Sequence, residues 1–95
     1  MISRSGYVYL MCPKGRNVYK IGVTIDIDKR IARKEKQVEY ELYYIKSVYV
    51  KNMFWTERKL HNMFSRFRLA GEWFVLPFEV VHNFENIVAK VVGNE

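Results

Sequence analysis

The sequence predicts a small α+β domain, a short antiparallel sheet flanked by helices in the order ββαβα(β)α. Three observations carry this. The 95 residues are 49% hydrophobic and 16% aromatic, with no repeat or Gly/Ser linker, so one compact unit with its own core is expected over 1–95. Two segments rich in aromatic and β-branched residues flank a Pro/Gly turn near the start of the chain. Apolar residues then recur at helical spacing in two later segments.

Taken in order, Gly6–Cys12 and Asn17–Val23 read as strands joined through Pro13-Lys14-Gly15-Arg16, a β-hairpin. A four-residue loop would set Val8 opposite Ile21, Tyr9 opposite Lys20, Leu10 opposite Tyr19 and Met11 opposite Val18. Side chains alternate along a strand, so Val8, Leu10, Tyr19 and Ile21 share an apolar face. Tyr7, Tyr9, Lys20 and Gly22 share the other. Thr24 or Asp26 can cap a following helix, with Asp28 well placed in its first turn. Ile27 and Ile31 face the core there, while Lys29, Arg30, Arg33, Lys34 and Lys36 make the rest basic.

Glu41–Val50 reads as a third strand. Asn52 can cap a second helix to about Arg66, with Leu60, Met63, Phe64 and Phe67 as its buried stripe. Ala70-Gly71 ends it, and Glu72–Val75 is a short strand or an extended lid. Pro77 opens a last amphipathic helix, about 77–92, with Phe78, Val81, Phe84, Val88 and Val91 or Val92 facing inward.

Composition excludes several classes. A single cysteine, Cys12, makes no internal disulfide and no zinc-ligand cluster. No apolar run approaches the roughly 18 residues of a membrane span, and Met1–Gly6 does not read as a signal peptide. A small cytoplasmic domain without membrane contact is the expectation. Residues 1–70 hold 15 basic and 6 acidic groups, +9, whereas residues 71–95 carry −3. A basic body with an acidic end suits a polyanion gripped by the first 70 residues.

Five short motifs stand in order: Gly6-Tyr7-Val8-Tyr9, Tyr19-Lys20-Ile21-Gly22-Val23-Thr24, Lys29-Arg30, the Glu57–Phe64 segment ERKLHNMF, and Gly71-Glu72-Trp73-Phe74. Over about residues 6–75 the chain resembles the GIY-YIG nuclease superfamily, and most closely its compact phage and viral branch, often described as DNA-binding. The resemblance implies a GIY-YIG-like sandwich and a metal-dependent endonuclease that hydrolyses DNA phosphodiester bonds. It implies Tyr9 as general base, Arg30 on the phosphate and Glu57 as the ligand of Mg²⁺ or Mn²⁺. A phenol with an ordinary pKa of about 10 is a poor base at neutral pH, and a nearby cation favours phenolate. The expected hairpin register gives that part to Lys20, or the part of ordering the attacking water.

Lys20 stands where the wider superfamily has a second tyrosine, and Tyr19 points to the opposite face. Many members also carry an asparagine beyond the glutamate helix, where this chain has Leu69. His61 lies one turn beyond Glu57 and joins the site as its neighbour; a helical glutamate also commonly pairs with just such a residue. Lys29, Arg33 and Lys34 are expected to join Arg30 on nucleic acid. Tyr7, Tyr40, Tyr43 and Tyr44 can stack on unpaired bases or pack on the sheet. His82 reads as a surface residue, Trp73 as core, and Glu72 as an edge of the site. The alternative function is a non-catalytic DNA-binding module that keeps the fold. Either protein would act alone, as a homo-oligomer, or with a partner that supplies specificity, because most contacts of so small a domain go to phosphates.

Overall fold

The computed structural model describes residues 4–30 and 42–94. Five strands form one sheet: β1 (Gly6–Pro13), β2 (Tyr19–Thr24), β3 (Leu42–Val50), β4 (Arg68–Ala70) and β5 (Trp73–Phe74). Their spatial order is β3-β1-β2-β5-β4, antiparallel throughout. The helices are α1 (Met53–Met63), α2 (Phe78–His82) and α3 (Phe84–Gly93), with a 3₁₀ turn at Ser65–Phe67. A further helical turn covers residues 27–30. This is the α+β architecture that the hydrophobic pattern predicts. Among the described residues, no helix is long and apolar enough to cross a membrane.

The β1–β2 hairpin keeps the expected faces but not the expected register. Tyr9 lies opposite Gly22, Leu10 opposite Ile21 and Met11 opposite Lys20, a slip of two residues. The cause lies in the loop. Arg16 N–H turns back onto Pro13 O at 3.1 Å, and the Cys12 thiol donates to Arg16 O at 2.9 Å. The turn is thus closed within 13–16, and Asn17 and Val18 lengthen the loop instead of pairing. An even slip leaves every side chain on its face, whereas a slip of one would invert them all.

Val8, Leu10 and Ile21 form the inner face of the sheet and pack against Met53, Leu60 and Phe64 beside α1 and against Phe84, Val88 and Val91 of α3. Each large apolar side chain buried there contributes about 1.5–3 kcal/mol. Three expectations for this layer are corrected. Met63 is exposed, because α1 ends there and the chain turns into the 3₁₀ segment before Arg66. Phe78 is 74% exposed and stacks on His82. The last helix is also two helices, broken at Asn83, whose amide bonds back to Glu79 O at 3.0 Å.

The opposite face of the sheet carries Tyr7, Tyr9, Met11, Gly22 and Lys20. Tyr9 and Met11 are fully buried there, with Ile27 and Trp73 packed against them. Among the described residues, the charged groups of the motifs gather on this face and where β2 meets β5.

Candidate functional site

Tyr9 is seated by the glycine opposite it. A Cβ on Gly22 would fall 2.5 Å from Tyr9 Oη and 2.6 Å from its Cζ, so the ring lies directly on the Gly22 backbone. The hydroxyl accepts a hydrogen bond from Arg30 Nε at 3.0 Å. Arg30 is delivered by the turn at residues 27–30, which Asp26 caps. Asp26 Oδ1 accepts from Lys29 N–H at 3.0 Å, and Asp26 O accepts from Arg30 N–H at 3.1 Å. Thr24 Oγ1 steadies the same residue, accepting Asp26 N–H at 3.2 Å. The bond to Tyr9 uses only Nε, so the terminal guanidinium donors can still fork around an anion.

At the next step across the sheet, β5 pairs with β2 only at Tyr19 and Lys20. Beyond that point the backbone of Ile21 is held from two directions. Its N–H donates to Glu72 O at 3.1 Å, and its carbonyl meets His61 Nε2 at 2.9 Å. A carbonyl only accepts, so the proton sits on Nε2, and Nδ1 is left to accept from Arg68 Nη2 at 3.4 Å. The ring also rests on Phe74. Both His61 nitrogens are therefore engaged, and the residue pins α1 to β2.

Glu57 lies one turn before His61 and comes into the field of Glu72, Lys20 and Arg30. Burial, reinforced by the Glu72 carboxylate and a hydrogen bond to it, raises Glu57 to about 7 against the opposing pull of Lys20 and Arg30. Burial also pushes Glu72 upward, but Lys20 overrides it and holds that carboxyl below the usual carboxylate range. Lys20 Nζ sits 3.3 Å from Glu72 Oε2, with only 4% of its side chain exposed. Of the two carboxyls Glu57 is therefore the one that keeps a proton, up to about pH 7, while Glu72 carries the negative charge. Glu57 Oε2 is buried without a hydrogen-bond partner among the described residues. An orphaned buried oxygen of this kind asks for an ion, a water or a catalytic purpose.

The predicted residues thus gather as two adjoining groups, Tyr9 with Arg30 and Glu57 with Glu72, Lys20 and His61. One detail is corrected: Lys20 is not the cross-strand neighbour of Tyr9. It stands opposite Met11 and spends its charge on Glu72, so the cation on the phenol is Arg30. Tyr9 is also fully enclosed, its hydroxyl covered by that guanidinium. Lys29 is exposed and lines, with Arg30, Thr24, Ile25 and Asp26, a cavity of about 310 Å³. Arg33, Lys34 and Tyr40 lie outside the described residues, as do the side chains of Tyr43 and Tyr44. His82 is on the surface, and Trp73 is half-buried against Tyr9 and Met11.

Sequence reasoning missed Arg68 altogether, because β4 carries no strand pattern of its own. It placed Glu72 at the edge of the site without seeing its pairing with Lys20, which depends on long-range contact between β2 and β5.

Among the described residues, no group of three or more His, Cys, Asp and Glu side chains is arranged to hold a metal. The donor set at the site is one unpartnered carboxyl oxygen, with a second carboxylate beside it. That suits Mg²⁺, which is commonly held by one or two carboxylates plus water and substrate phosphate.

No curated protein and no solved structure matches the chain. Residues 6–91 match the T5orf172 domain, covering both strands of the hairpin, both halves of the site and α3 almost to its end. The chain belongs to the T5orf172 domain family, a nuclease-like family of phage and bacterial proteins.

Proposed function

We propose that this chain is a DNA-binding, metal-dependent endonuclease of GIY-YIG type, with its site where β2 meets β5 and the turn at residues 27–30. The observation that carries this reading is Glu57, a half-buried carboxyl raised to about 7 whose Oε2 is buried and unpartnered among the described residues, set beside cations from two other elements. Buried acids without partners are costly and are kept where an ion or a reaction uses them.

In this reading Arg30 grips a phosphate oxygen through its terminal nitrogens, while Lys29 adds charge at the adjoining cavity. Arg33 and Lys34 extend the same basic track. Glu57 is the ligand for Mg²⁺ or Mn²⁺, which when bound would neutralise charge on the phosphoryl group and help the leaving 3′ oxygen. Glu57 would hold the ion as a carboxylate, its proton released to solvent. Lys20 keeps Glu72 ionised and away from the phosphate path. His61 positions Glu57 by fixing α1 on Ile21 O. In the phenolate form, its own proton passed to solvent, Tyr9 Oη takes the proton of the attacking water while Arg30 holds the phosphate through its terminal nitrogens.

The enclosed Tyr9 favours a second reading, a non-catalytic DNA-binding module in which the phenol serves only to aim Arg30. The two separate in one experiment. Supercoiled plasmid incubated with the protein and Mg²⁺ or Mn²⁺ is nicked on the first reading and untouched on the second. Both predict binding that weakens steadily as salt rises. Nicking that persists in Glu57→Ala would overturn the metal site.

A further inference from the structure

Among the described residues, Tyr7 and Tyr49 are the aromatic residues on the site's face that neither core absorbs. They are cross-strand partners on β1 and β3, with ring centroids 5.4 Å apart and planes at 73°. Tyr49 is 61% exposed and Tyr7 half-buried. Strand alternation sets Tyr7 on the same face as Tyr9, two residues away, and the only register shift in β1 comes later, between Leu10 and Met11. Two residues of strand span roughly 7 Å, on the order of one nucleotide step along an extended strand. On its other side Tyr7 lies opposite Thr24, which lines the cavity of about 310 Å³ with Ile25, Asp26, Lys29 and Arg30. Ile25 is 56% exposed and apolar. Asp26 faces the same space, but its carboxylate is turned back onto Lys29 N–H.

A ring pair with one exposed and one half-buried ring, beside two cations, has the make-up of a single-strand binding surface, in which bases stack on aromatic faces while cations follow the backbone. The bases of an uninterrupted duplex are stacked on one another and offer no face to a side chain. We infer that Tyr7 and Tyr49 form a stacking platform for one unpaired base of DNA, next to the nucleotide whose phosphate lies on Arg30. The substrate class is therefore DNA with a single-stranded element at the cut site, such as a fork, flap or gap. This rests on the proposed DNA-binding reading and adds the choice of DNA structure to it.

The test is fluorescence anisotropy with labelled oligonucleotides of one sequence, single-stranded, forked and blunt duplex, in EDTA at fixed salt. Wild type should bind the forked and single strands more tightly than blunt duplex. Tyr49→Ala should weaken those two about tenfold and leave duplex binding unchanged, whereas Tyr49→Phe, which keeps the ring, should bind like wild type. Scanning an abasic site along the single strand should find one position that costs wild type the same factor and costs Tyr49→Ala nothing. Equal losses on all three DNAs, or none, would overturn the platform. So would tighter binding of wild type to blunt duplex, or a preference for RNA of the same sequence over DNA. Binding to no DNA at all would bring down the proposed function itself, and the platform with it. At this exposure Tyr49 supports little of the fold; unchanged far-UV circular dichroism confirms that the variants are folded.

Discussion

The protonated state of Glu57 has a measurable consequence for stability. Replace it by glutamine, which keeps the shape and removes the titration, and follow urea unfolding of both proteins from pH 4 to 8.5. In the unfolded chain the carboxyl titrates near 4.5, and in the folded protein near 7. Below pH 4.5 it is protonated in both states and adds no pH dependence. As pH rises the unfolded state loses its proton first, so wild type loses stability between about 4.5 and 7 and levels off above that. At full strength this difference corresponds to about 3 kcal/mol. Glu57 is only partly buried, and screening by water reduces it to about 1–2 kcal/mol. Glu72 has the opposite sign: its lowered carboxyl loses stabilisation only as pH falls below the ordinary carboxylate range, outside this window. Wild-type stability minus that of Glu57→Gln should therefore decline by about 1–2 kcal/mol across pH 4.5–7. Mg²⁺ added at pH 8 should stabilise wild type and not the variant. A difference that stays constant from pH 4.5 to 8 would refute the desolvated, proton-holding carboxyl on which the site depends.

Other expectations follow from neighbouring residues. Gly22→Ala should lower stability by about 1–3 kcal/mol in thermal unfolding, because the new methyl meets the Tyr9 ring and neither strand can yield cheaply. Tyr9→Phe removes the hydroxyl bonded to Arg30 Nε; it should cost about 1 kcal/mol in stability and abolish plasmid nicking, and unchanged nicking would show that the phenol is not the base. His61→Ala should cost about 1–3 kcal/mol by leaving the Ile21 carbonyl without its partner, and should raise the metal concentration needed for nicking by loosening Glu57; an unaltered metal requirement would remove its positioning role.

Much of the fold was legible because its signals are local. Strand alternation sorted β1 and β2 correctly even though the register was displaced, since the loop is closed by the Cys12 thiol and Arg16 N–H, groups that carry no turn signature. Helical spacing marked Leu60, Phe64, Phe84 and Val88 as core. The same spacing ran on through Asn83 and hid the break there, because a single non-helical residue barely shifts the apolar stripe. β4 was invisible at three exposed residues; it exists because Gly71, at φ 56°, lets the chain fold back onto β5.

The candidate site was legible as residue types in order, and much less as contacts. Tyr9, Arg30 and Glu57 could be named from motifs. That Arg30, not Lys20, would meet the phenol depends on where the turn at 27–30 lands relative to a register set by a loop. That Glu72 would take Lys20 depends on pairing between strands some fifty residues apart. Charge pairing across such separations leaves no periodic trace in a single sequence.

The most direct measurement compares binding and cutting on one forked DNA with Mg²⁺, in wild type, Glu57→Gln and Arg30→Ala. The account predicts that Glu57→Gln retains the DNA while losing cleavage, and that Arg30→Ala loses both. Cleavage surviving in Glu57→Gln, or full affinity in Arg30→Ala, would contradict a phosphodiester-cleaving site where β2 meets β5.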